Sequence, residues 1–132
     1  MNFKEEYFGE KPEPKEISEE TKVELRSAIN VVQKDYVEFE KLRRVYADEL
    51  GSNEDKGRIA TLDMRMEKIY RFFNRIAAND PLKRLPLTEE EGIGAITFTR
   101  RFDIDLIAFI RTLEPEYKRD DLPESNTPGG TE

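Results

Sequence analysis

IATLDMRMEKIYRFFNRI, residues 59–76, decides the fold. Its apolar residues Ile59, Leu62, Met66, Ile69, Phe73 and Ile76 recur at steps of three, four, three, four and three. Side chains three and four apart lie on one face of a helix, so this spacing is a heptad seam down one side of an amphipathic helix. The helix opens after Ser52 or Asn53, with Glu54 and Asp55 in the first turn, where the helix dipole favours acids. Asn79-Asp80-Pro81 ends it.

Upstream, Ser18 is a candidate N-cap, followed by Glu19 and Glu20. Leu25, Ile29, Val32, Tyr36 and Phe39 then recur at steps of four, three, four and three, and the stripe continues through Leu42, Tyr46 and Leu50. Gly51 follows the last apolar position and can supply a left-handed C-terminal cap. The short connection SNEDKG makes the two helices antiparallel neighbours, an αα-hairpin whose apolar seams face each other.

Downstream, Thr88 and Glu91 have the spacing of a capping box, which starts a third helix near Glu89. GIGAITFT, rich in Gly and β-branched residues, suits either a poor helix or a short strand, and is read here as helix. From Asp103, Leu106, Ile110 and Leu113 share a face that Phe102, Ile107 and Phe109 widen, until Pro115 stops the run. This is expected to be the most buried helix. The fold class is therefore all-α: a small three- to four-helix bundle built on a long antiparallel αα-hairpin, whose open side the third helix covers.

A chain of 132 residues is the size of one domain, and 36% hydrophobic against 39% charged residues suits a packed core with a heavily charged exterior. The bundle domain is assigned to residues 18–117. Residues 1–17 read as an extended acidic arm containing Pro12 and Pro14, and residues 118–132 as a disordered acidic tail without an apolar residue after Leu122. The net charge of −7 is uneven. Residues 1–20 hold 3 Lys against 7 Glu, and residues 114–132 hold 2 basic against 6 acidic residues, so the acidity sits at the two ends.

The absence of Cys and His excludes disulfides, thiolate nucleophiles and the common structural zinc sites. No cofactor or metal is expected. No apolar run is long enough to span a bilayer and the N-terminus lacks the pattern of a secretory signal, so no membrane association and a cytoplasmic location are expected. Acid–base chemistry would fall to carboxylate pairs such as Asp103 with Asp105 or Asp35 with Glu38, which read more simply as helix-start charge and solvated surface. Gly92-Ile93-Gly94 lacks the preceding strand and following Lys of a phosphate loop, and suits a helix thinned for close packing. The chain is accordingly read as having no enzymatic activity.

Between Lys56 and Arg84, eight Lys or Arg face three acidic residues, Asp63, Glu67 and Asp80. Arg65, Lys68, Arg71 and Arg75 are spaced to form a basic ridge along one flank of the second helix, which Lys83 and Arg84 extend. The ridge has three readings. It is a solvated flank paired with Asp35, Glu38, Glu40, Asp48 or the acidic ends; a protein-binding surface; or a nucleic-acid-backbone-binding surface of a nucleoprotein subunit, with Tyr70 or Phe72 nearby for stacking. Tyr7 and Phe8 are arm anchors that either strap back over the bundle or dock a partner. The expected function is a non-enzymatic helical protein–protein interaction module (an adaptor, inhibitor or assembly factor), with backbone-level binding of nucleic acid as the alternative. Homodimerisation is a further expectation, since a strict heptad pairs between chains as readily as within one.

Overall fold

The computed structural model describes residues 14–77 and 82–118. Three helices run in order: α1, Glu19–Val45; α2, Asn53–Ile76; and α3, Glu89–Leu113. The fold is the all-α bundle expected from the periodicity.

Each helix starts where its side-chain chemistry dictates. Ser18 and Ser52 accept from the backbone N–H groups of Thr21 and Asp55, and Thr88 with Glu91 forms a complete capping box. These contacts satisfy donors that the first helical turn cannot pair internally. GIGAITFT is helical throughout, so α3 is one unbroken helix, and among the described residues it buries the most side chains. Residues 78–81, where α2 was expected to end, lie outside the described residues. The helix itself stops at Ile76.

Two expectations are corrected. The first helix does not continue to Leu50: it ends at Val45 with Tyr46 as its C-cap, and residues 46–50 form a turn closed by the Leu50 N–H on the Tyr46 and Ala47 carbonyls. Leu50 is nonetheless buried, and Gly51 does not adopt the left-handed conformation. Lys83 is the non-glycine residue with positive φ among the described residues, at 52°.

The second correction concerns which helices pair. The hairpin seams are not the tightest interface; α1 packs mainly against α3. These two helices run parallel, Thr21 meeting Glu89 at one end and Tyr46 meeting Glu114 at the other. The reason is side-chain size. Along the face of α3 turned to α1 stand Gly92, Ala95, Thr99 and Asp103, all buried. A Cβ at Gly92 would lie 2.6 Å from Ile17 Cδ1 and 3.0 Å from Thr21 Cγ2, so the absence of that atom lets the helices close.

Residues 14–17 complete the bundle as an extended segment. The Ile17 N–H donates to the Leu87 carbonyl (3.2 Å) and the Glu89 N–H donates to the Lys15 carbonyl (2.8 Å), an antiparallel bridge that buries Ile17. The end of the arm is thus part of the bundle. The core includes Leu25, Ile29, Val32 and Phe39 of α1, Met66 and Ile69 of α2, and Phe102, Leu106 and Ile110 of α3. Phe39 meets Phe109 edge to face at 5.6 Å.

Candidate interaction surface

The six ridge residues divide into two groups. Arg65 turns toward α3: its guanidinium sits 2.8 Å from the Asp105 carboxylate and 5.1 Å from the centre of the Phe102 ring. Lys68 places its ammonium 4.7 Å from the Phe98 ring. Arg75 donates to the Leu85 carbonyl at 3.0 Å and pairs with Glu91 at 3.6 Å. These three cations, with Arg58 over Phe109 at 4.8 Å, all reach from α2 toward α3, flanking the buried seam of Leu62, Met66 and Ile69. A cation over an aromatic face keeps its alkyl stem on apolar surface while its charge is satisfied.

Of the other group, Arg71 and Lys83 face outward, while Arg84 is half-buried. Arg71 is largely exposed and pairs with Glu67, a helical turn away on the same surface. Lys83 and Arg84 lie between Leu82 and Leu85, which are 69% and 80% exposed. Large aliphatic side chains that open to solvent beside cations, in a loop fixed by the Arg75 hydrogen bond, form a mixed apolar and basic patch at the end of α2.

Of the partners foreseen for the ridge on α1, Glu38 and Glu40 pair with Lys41 and Arg43 of the same helix. Asp35, expected on a solvated flank, is fully buried and accepts a hydrogen bond from the Tyr117 hydroxyl at 2.6 Å. Asp103, also expected at the surface, is 8% exposed and faces α1. Asp105 does reach solvent, as read. Between α1 and α2, the Asp63 carboxylate accepts from Tyr36 Oη at 2.6 Å and from Arg43 Nη1 at 2.8 and 2.9 Å. Burial, followed by this hydrogen bond to Asp63, raises the Tyr36 hydroxyl pKa far above the ordinary tyrosine value. Arg26 donates to the Ile76 carbonyl at 3.3 Å, closing the C-terminus of α2 against the start of α1.

At the other interface Glu89 acts as a clamp. Its carboxylate accepts from the Thr21 hydroxyl (2.6 Å) and from the Ser18 N–H (2.7 Å), so the first turn of α3 also caps α1. The Thr21 bond, then the Ser18 bond, holds its pKa below the ordinary glutamate range.

Grooves open on two sides of α3 among the described residues. One, of about 650 Å³, opens between α2 and α3 over Gly57, Thr61, Leu62, Ala108 and Phe109. The other, of about 310 Å³, opens between α1 and α3. Of the aromatics considered for stacking, Phe72 is spent on an edge-to-face contact with Phe98 at 5.9 Å, while Tyr70 stays exposed. Tyr7 and Phe8 lie outside the described residues. Among the described residues, no helix is long and apolar enough to cross a membrane, and no cluster of three or more metal-ligating side chains occurs. The chain matches no protein family, no curated protein and no solved structure.

Proposed function

We propose that the protein is a non-enzymatic helical module that binds another protein through the end of α2 and the loop leading to α3. The observation that carries this reading is the exposure of Leu82 and Leu85 on either side of Lys83 and Arg84, with Arg71 on the adjoining helix. Apolar anchors surrounded by charge are how protein interfaces divide their work: the anchors supply affinity and the cations supply orientation and encounter rate. A phosphate backbone would be followed by cations alone, and three of the six ridge residues, Arg65, Lys68 and Arg75, are already committed to α3.

The test is capture of partners from a native lysate by the tagged protein, with and without nuclease, in parallel with a Leu82→Asp/Leu85→Asp variant. A stoichiometric protein that survives nuclease and is lost with the double variant is the expected result. Recovery that nuclease abolishes, that falls steeply with salt and that ignores the leucine changes would replace this reading with nucleic-acid binding through Arg71, Lys83 and Arg84.

A further inference from the structure

The loop carrying Leu82 and Leu85 and the groove between α2 and α3 sit at the two ends of one face. The groove is walled by the first turns of α2, from Glu54 to Leu62, and the last turns of α3, from Asp105 to Phe109. The loop follows the end of α2, where Arg75 holds the Leu85 carbonyl. Thr61, Lys68 and Arg75 recur every seven residues, so the groove wall and the anchor of the loop share one flank of α2. From Gly57 to Ile76 that flank is about 28 Å long at 1.5 Å per residue. A loop and a groove this far apart cannot meet within one molecule, but they can between two.

Shape, length and charge fit the two to each other. The exposed Leu82 and Leu85 stand on a loop stiffened by Pro86 and by the Arg75 hydrogen bond, so little freedom is lost when they are covered. The groove is concave, about 650 Å³, with Leu62, Ala108 and Phe109 along it. At Gly57 even an added Cβ would meet nothing within 4 Å. Its run along α2 from Glu54 to Thr61 is about 10 Å, and the two leucines, three residues apart, are separated by about 10–11 Å at most. Residues 71–77 and 82–85 hold four cations and no acid, whereas residues 46–58, around the start of α2, hold four acids against two cations. Opposite charge at the two ends orients the encounter. Lys68 and Arg101, midway along the face, decide how two copies are arranged. A two-fold axis there would press these like charges together. A copy given half a turn about the long axis of the bundle and shifted along it by about 28 Å keeps them apart and overlaps only loop and groove.

We propose that the loop of one molecule seats Leu82 and Leu85 in the α2–α3 groove of a second copy, with Lys83 against Glu54 at the rim. This rests on the loop being a protein-binding surface, and it names a second copy of the chain as the protein bound. Two different surfaces meet, so each copy keeps a loop at one end and a groove at the other. Such a contact repeats along a row of copies and does not close at two.

Sedimentation velocity of the full-length protein at low salt and rising concentration is expected to give a mean mass that passes that of a dimer without levelling off. Leu85→Asp and Ala108→Arg, both at exposed positions, should each hold the protein monomeric with its circular dichroism unchanged. Mixed in equal amounts, these variants should form a particle of one copy of each that grows no further, because one retains its groove and the other its loop. Lys83→Glu should weaken assembly, and Glu54→Lys in the same chain should restore it. A chain that is monomeric at every concentration, a mass that levels off at the dimer, or a mixture of the two variants that stays monomeric overturns the proposal. A monomeric chain that still captures a lysate protein through Leu82 and Leu85 would overturn only the second copy as partner and leave the loop's protein-binding role standing.

Discussion

Gly92 and Gly94 stand two residues apart in α3, and the same substitution at each should change stability in opposite directions. Alanine in place of glycine inside a helix gains about 1 kcal/mol, because the unfolded chain loses freedom it would otherwise keep. At Gly94 a Cβ would meet nothing within 4 Å, so Gly94→Ala should show that gain in full, raising the melting temperature by roughly 3–5 °C for a domain of this size. At Gly92 the new atom would fall 2.6 Å from Ile17 Cδ1 and 3.0 Å from Thr21 Cγ2. Neither neighbour yields easily. Ile17 is buried within a segment held by backbone hydrogen bonds on both sides, and the Thr21 hydroxyl is tied to Glu89 and Ser18, which fixes the methyl group on the same carbon. Overpacking of this kind costs about 1–3 kcal/mol. The propensity gain is common to both variants, so the difference between them isolates the packing cost. Urea unfolding followed by circular dichroism should place Gly92→Ala about 1–3 kcal/mol below Gly94→Ala. Equal shifts of the same sign would show that α1 and α3 are not in close contact at this point, and the account of why they pair would be lost.

Tyr117→Phe removes the hydroxyl that donates to the buried Asp35, which should cost about 1–3 kcal/mol in denaturant unfolding with little change in secondary structure; an unchanged midpoint would mean the contact is made equally well by solvent. Glu89 is held below the ordinary glutamate pKa in the folded state, so its contribution is present above the unfolded value and lost as pH falls through the folded one. Glu89→Gln should therefore be less stable than the parent at neutral pH, and the two melting temperatures should converge on acidification below pH ~4, in the range where glutamates titrate. Asp63→Ala removes the acceptor shared by Tyr36 and Arg43 and should loosen α2 from α1. In the same variant the Tyr36 hydroxyl should ionise at lower pH than in the parent, read from tyrosinate absorbance, since only burial and the nearby Glu40 would remain to raise it.

What the sequence disclosed was whatever a single helix decides for itself. Ser18, Ser52 and the Thr88–Glu91 pair cap their helices as read, because a cap involves side chain and backbone within one turn. The apolar stripes of α1 and α2 were legible for the same reason, and so was the thin face at Gly92. Which stripe meets which was not legible. The closest pair is chosen by the small residues of α3 facing Ile17 and Thr21, and that match depends on the register between segments some seventy residues apart. Asp35 was misread because a carboxylate beside Lys34 reads as solvated, while a residue that satisfies it in the core, Tyr117, lies eighty-two positions away. At the end of α1, the apolar spacing through Tyr46 and Leu50 survives in a turn that buries Leu50 without helical geometry, so periodicity alone overran the boundary.

The ridge shows how far a charge pattern can be read without its complement. Arg65, Lys68 and Arg75 were placed on a flank outside the apolar seam, and that placement is consistent with the helix as it stands. Their destination depended on Phe98, Phe102 and Asp105, which occupy one stripe of α3 at steps of four and three. With α2 and α3 antiparallel, Arg58 meets Phe109, Arg65 meets Phe102, Lys68 meets Phe98 and Arg75 meets Glu91, a register that stays constant along the interface. An aromatic and acidic stripe on one helix and a cationic stripe on another, both present in the sequence, were a signal that the two would face each other. At about 100° per residue Arg71 lies some 40–60° around α2 from Arg75 and Lys68 and about 120° from Arg65, at the edge of that stripe, and it remains at the surface, paired with Glu67. What the third helix leaves over of the ridge, Arg71 and Lys83 at the surface, is what the proposed protein partner would meet.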